Sequence, residues 1–157
     1  MKTVVLNIKV QPGSYYRQTM ENIAKKVGEI IAEQENIKDF SYVKAGNVDY
    51  IKKEKKVTGW VSIEKFVPEY DSSKVLGVYD FVAYISWEVK SNGEKLLVGA
   101  KCKECGYYLD GDTYGEYLHA DGVCECPRCG NTDWKEITKE QKTFTPIITK
   151  IEYKPSR

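Results

Sequence analysis

Four of the five cysteines in this 157-residue chain fall in two matched pairs, Cys102-Lys-Glu-Cys105-Gly106 and Cys126-Pro127-Arg-Cys129-Gly130. Two thiols separated by two residues can face the same point from a single tight turn. A second such turn, twenty residues further on, supplies the other half of a tetrahedron. That spacing predicts a thiolate site for Zn2+, one ion per chain. With four thiolates no position is left for water, so the site is expected to be structural, not catalytic.

Two residues compete for a place in that set. Cys124 makes the second half read Cys124-x-Cys126-x-x-Cys129, three thiols where two are needed. The proline and the glycine belong to the Cys126 turn, which favours Cys102, Cys105, Cys126 and Cys129, with Cys124 as the alternate. His119, the single histidine, lies between the pairs and is the other alternate; a loop histidine at the surface is the plainer reading. The two Cys-x-x-Cys-Gly turns resemble the knuckles of zinc ribbons and rubredoxin-like folds, over residues 101–134 only. In such knuckles backbone N–H groups point at the sulfurs, and the glycine after the second cysteine takes a left-handed conformation. Cys105-Gly106-Tyr107-Tyr108 also resembles the opening of rubredoxins, which implies Fe as the less favoured metal and electron transfer as the alternative role. No partner redox domain accompanies it, and a single histidine cannot supply the two Glu-x-x-His motifs of a diiron site.

Zinc ribbons often sit on nucleic acid, a prior that charge can test. Residues 101–136 carry four basic and eight acidic side chains, whereas residues 1–100 carry fifteen and thirteen, and residues 137–157 carry five and two. Four thiolates around Zn2+ add about −2 to the acidic segment. Such a surface repels phosphates, which supply most of the affinity for nucleic acid. Its tyrosines, Tyr107, Tyr114 and Tyr117 above all, suit a partner protein, or else the segment's own small core. The candidate nucleic-acid contact lies elsewhere, at Lys52, Lys53, Lys55 and Lys56 with Trp60 nearby for stacking. A lysine-rich tip is more often a solvated turn that protects a sheet edge.

The signs of an enzyme are weak. Asp80 followed by Glu88-Val89-Lys90 resembles the acidic motif of metal-dependent nucleases, but Phe81–Trp87 holds no turn residue. An unbroken strand would set the two carboxylates about 27 Å apart. One histidine leaves little scope for a nucleophile–base pair, and Gly111, Gly115 and Gly122 are too scattered for a phosphate loop. The expectation is a non-catalytic zinc-binding interaction or assembly protein that contacts a partner protein. A nucleic-acid-associated factor and a rubredoxin-like carrier are the alternatives.

The elements around the cysteines follow from periodicity. Val4, Leu6, Ile8 and Val10 alternate as a half-buried strand, whose Asn7 and Lys9 do not suit a signal peptide. With Ser14 as N-cap, Tyr15–Glu35 shows an apolar stripe at helical spacing, with Gly28 marking a close approach to the sheet. Asp39–Tyr50 (bent at Ala45-Gly46-Asn47), Val57–Val67, Val75–Lys90 and Thr143–Tyr153 read as strands. Lys52–Lys56 reads as a hairpin tip, Pro68–Lys74 as a loop, and Ser91-Asn92-Gly93 as a type I′ turn. Lys135–Lys142 reads as a linker. The predicted fold class is α+β: one long N-terminal helix packed on a mostly antiparallel sheet, with an inserted zinc-ribbon subdomain. The body is residues 1–100 and 137–157, and the insert 101–136. No apolar run is long enough to span a membrane, cysteine usage favours a cytoplasmic setting, and the Lys/Glu-rich composition leans towards a thermophile.

Overall fold

Polar–apolar alternation dominates this chain, and it builds a sheet. The computed structural model of the protein describes residues 1–68 and 72–156. Its elements are β1 (Lys2–Lys9), α1 (Tyr16–Gln34), β2 (Tyr42–Ile51), β3 (Lys56–Val67), β4 (Ser72–Cys102), β5 (Tyr108–Asp110), α2 (Gly111–Asp121) and β6 (Trp134–Pro155). A single 3-10 turn, Lys52–Glu54, joins β2 to β3. The sheet order is β1-β6-β4-β3-β2, with β5 paired to β4. The chain divides into two compact units: Met1–Val89 with Phe144–Arg157, and Lys90–Thr143.

In the first unit α1 covers one sheet face. Its stripe of Met20, Ile23, Ala24, Val27, Ile30 and Ile31 is buried against Val57, Val61 and Ile63 of β3, Tyr79, Phe81, Ala83 and Ile85 of β4, and Ile148, Ile151 and Tyr153 of β6. Side chains alternate along a strand, so the intervening residues Trp60, Ser62 and Glu64 of β3 face away from the helix. Gly28 permits the close approach: a Cβ there would lie 2.4 Å from Cγ1 of Val43 on β2. At its N-terminus the helix is capped without Ser14 acting as N-cap. The N-cap is Tyr15, and Gln18 Oε1 instead accepts from the Ser14 backbone N–H at 2.7 Å.

Four expectations are corrected. The architecture is not one built on a single long N-terminal helix. Strand accounts for 56% of the residues, and the helical part is two short helices, within a broad α+β class. Ser91–Gly93 makes no hairpin, because β4 continues through it with Gly93 at φ 79°. Lys135–Lys142 is no linker but part of β6, whose Glu140 and Gln141 accept hydrogen bonds from Ser91 (2.5 Å) and Asn92 (2.9 Å). The physical reason is common to these three. A strand with water on both faces shows no alternation, so a partner strand elsewhere in the chain decides its state, not local periodicity. For the proposed Pro68–Lys74 loop, residues 69–71 lie outside the described residues, while Ser72, Ser73 and Lys74 already pair with β3.

Candidate metal centre

The centre belongs to the second unit, and each half is built in the same way. In the first knuckle, Gly106 N–H donates to the Cys102 carbonyl (2.9 Å) and Cys102 N–H to the Tyr107 carbonyl (2.9 Å). In the second, Gly130 N–H donates to the Cys126 carbonyl (2.8 Å) and Cys126 N–H to the Asn131 carbonyl (2.8 Å). Both turns close on a left-handed glycine, Gly106 at φ 74° and Gly130 at φ 78°. Side-chain-bearing residues pay to adopt that conformation. Lys103 N–H donates to the Asp133 carbonyl at 3.1 Å and so ties the two knuckles together.

The four sulfurs of Cys102, Cys105, Cys126 and Cys129 all lie within 4.8 Å of one another. Two separations across the knuckles, Cys102–Cys129 and Cys105–Cys126, are both 3.5 Å. A disulfide needs about 2.05 Å. A tetrahedron with metal–sulfur bonds of about 2.3 Å has edges near 3.8 Å. The sulfurs are therefore spaced to hold a metal ion and not to bond one another, and all five cysteines are free thiols.

Backbone N–H groups condition these thiols for ionisation. The Cys105 N–H acts most strongly on Cys102. Against the effect of burial, and with the Glu104 N–H and the Asn131 amide, it pulls the thiol down to about 6. Burial opposes ionisation of Cys126, yet the N–H groups of Cys129 and Arg128 outweigh it and lower its pKa. Once these two carry charge the others resist. The Asn131 N–H favours the Cys129 thiolate, but burial and the three neighbouring sulfurs push that thiol up to about 12. Cys105 is raised too, its Tyr107 N–H outweighed by burial and by Cys126. A cluster that resists accumulating negative charge is a natural receptor for a cation.

A small core supports the knuckles. Ala100, Leu109, Tyr114 and Trp134 pack with Cys102, Cys124 and Cys126. Tyr114 and Trp134 rings meet at 5.7 Å, and Trp134 Nε1–H donates to the Cys124 carbonyl at 2.7 Å. The segment between the knuckles is not an open loop. β5 pairs with the end of β4, Ala100 opposite Leu109, and α2 follows directly. Asp110 caps α2 by accepting from Thr113 N–H at 2.8 Å, and Gly122 ends it at φ 74°.

Each site residue expected from the sequence now has a place. Cys124 is outside the sulfur cluster; it is 2% exposed in the small core, and burial raises its pKa, followed by the charge of Cys126. His119 sits exposed in the last turn of α2. Tyr114 is only 5% exposed, with its hydroxyl 3.3 Å from Glu136 Oε1, whereas Tyr107 and Tyr117 are exposed. In the first unit, Lys52, Lys53 and Lys55 are exposed around the 3-10 turn, while Lys56 pairs with Glu54 at 2.5 Å. Trp60 lies four residues along β3 from Lys56, about 13 Å, and packs on Gly46. The structure thus does not gather the lysines and Trp60 at one point. Asp80 and Glu88 share the continuous strand β4; Asp80 accepts from the Ser156 hydroxyl at 3.2 Å, and Glu88 pairs with Lys9 at 2.7 Å.

Little in the sequence singles out Asn131. Its Nδ2 lies 3.6 Å from Cys102 Sγ and 3.0 Å from the Asp133 carbonyl, bridging the knuckles. Its one signal was position, directly after the Cys129-Gly130 turn. Among the described residues no helix is long and apolar enough to cross a membrane. Comparison with protein families, with curated proteins and with solved structures finds no match to this chain.

Proposed function

We propose that this is a non-catalytic zinc protein whose metal-stapled unit, residues 90–143, engages a partner protein. The observation that carries the reading is the sulfur cluster. Four thiols from two equivalent knuckles fill every position of a tetrahedral ion, which suits Zn2+ holding a fold together. The small core around Tyr114 and Trp134 is too slight to do so alone.

The partner half of the proposal rests on what remains at the surface of the unit. It carries eight basic and ten acidic side chains, and the bound ion with four thiolates brings a further charge of about −2. Tyr107, Tyr108, Tyr117 and Val123 are all exposed on this acidic unit. Exposed tyrosines amid acidic groups favour a protein with basic residues around an apolar patch over a phosphate backbone. Tyr114 is committed to packing, so the contact set is Tyr107 and Tyr117.

The test has two readouts. Zinc content of the purified chain should be one per molecule. A partner recovered from the source cells should be lost from a Tyr107→Ala/Tyr117→Ala variant that keeps its zinc. A zinc-replete variant that retains every partner would sink the assignment of this surface, and retarded migration of generic DNA or RNA at low salt would favour the nucleic-acid reading.

A further inference from the structure

The sheet face of the first unit turned away from α1 holds a groove of about 680 Å³, lined by Lys44, Trp60, Ser62, Glu64 and Val78 among others. That is within the size range of small-molecule sites. Its floor is unusual in being charged. Glu64 is 8% exposed and Ser62 4%. The Ser62 hydroxyl donates to Glu64 Oε1 at 3.1 Å and is, among the described residues, the carboxylate's one hydrogen-bond donor.

A carboxylate offers about four acceptor positions and Ser62 fills one, so Glu64, which lines the groove, keeps acceptor positions open. No side-chain oxygen among the described residues is both buried and without a partner, so the second Glu64 oxygen stays accessible to a ligand. Lys44, the cation of the groove lining, is exposed on β2 opposite Ser62 and forms no ion pair with Glu64 among the described residues. The walls supply what an organic cation needs. Trp60 packs against Gly46, where an added Cβ would lie 2.3 Å from the indole, and it lines the groove, where an indole can meet a cation. Val75 and Val78 line the apolar side, where an alkyl stem would lie. Ser156 anchors the rim through its N–H to the Val78 carbonyl (2.8 Å) and its hydroxyl to Asp80 (3.2 Å).

The geometry points to this groove as a binding site for a small organic cation, an ammonium or guanidinium on a short alkyl stem. Its charge meets Glu64 and its stem lies between Trp60 and the two valines. The same chemistry is carried by a free amine and by a lysine or arginine side chain of a peptide. Lys44 is a like charge at the rim and opposes entry.

The test is a titration of the full, metal-loaded chain followed by the Trp60 indole N–H and the Ser62 amide in two-dimensional NMR. The probes are n-butylammonium, n-butylguanidinium and the blocked tripeptide Gly-Lys-Gly, with n-butanol and n-butyrate as the neutral and anionic controls. Saturable shifts are expected with the cations alone. Tighter binding of the tripeptide identifies a peptide source, and tighter binding of the free amines a small metabolite. Glu64→Gln should weaken the cations about tenfold or more, and Lys44→Met should leave them unchanged or tighten them. If Glu64→Gln unfolds, Trp60→Leu takes its place, read at Ser62, and should weaken the cations. Equal binding of n-butanol, undiminished binding by Glu64→Gln, loss of binding in Lys44→Met, or no saturable shift with any cation would overturn the site.

Discussion

At the scale of single residues, the difference between Cys126 and Cys124 is the sharpest statement the structure makes. Both are buried, but only Cys126 Sγ belongs to the cluster. Cys126→Ser should abolish stoichiometric metal binding. Cys124→Ser should keep one ion per chain and cost about 1–3 kcal/mol of stability, because a hydroxyl replaces a thiol in an apolar core. Elemental analysis and denaturant unfolding of the two variants check this. The proline and glycine around Cys126 made the choice legible in the sequence, since they mark the turn that carries the ligand. Nothing local marked Tyr114 as core rather than surface, because only the position of Trp134 decides it.

Acidity also belongs to the residue scale. Cys102 has its pKa lowered from the ordinary 9 to about 6. In the metal-free folded chain its thiolate therefore contributes stability that is complete above about pH 9 and is lost as pH falls through about 6. Metal binding should weaken as pH falls through about 6, measured against a competing chelator; an affinity that does not change there would mean that the N–H groups of the knuckle do not stabilise the thiolate as described.

At the scale of elements, two glycines do opposite jobs. Gly106 is left-handed with nothing near a hypothetical Cβ, so Gly106→Ala costs only backbone strain, about 1–2 kcal/mol. Gly28 is helical, and alanine there would gain about 1 kcal/mol of propensity. Its Cβ, however, would meet Val43, a stiff β-branched side chain, at 2.4 Å. Gly28→Ala should thus destabilise by about 1–3 kcal/mol, and adding Val43→Ala should recover much of the loss in equilibrium unfolding. The periodicity of α1 announced this contact, because an interior glycine in a good apolar stripe needs a packing reason. α2 is not legible in the sequence, although Asp110 and Gly122 are a sound cap at each end. Three scattered glycines and a weak stripe hid an eleven-residue helix that its neighbours hold in place. The polar reaches of β4 and β6 were hidden for a related reason, as only their mutual pairing makes them strands.

On the scale of the whole molecule, the two units have unequal means of support. The first has a core running from α1 across β3, β4 and β6, while the second relies on a few residues of which three are cysteines. A structural zinc site contributes about 10–16 kcal/mol in small domains, comparable to the total stability of an ordinary domain. Chelation should therefore remove hydrogen-exchange protection from residues 90–143 and leave it at Ile23, Val27, Ile63 and Ile148. Loss of protection in both units together would show that the metal supports more than its own unit. The decisive measurement is native mass spectrometry of the chain as isolated from its source. One zinc per chain is expected, retained in Cys124→Ser and absent in Cys126→Ser. A chain that carries iron, carries disulfides in place of metal, or keeps its zinc without Cys126 would contradict it.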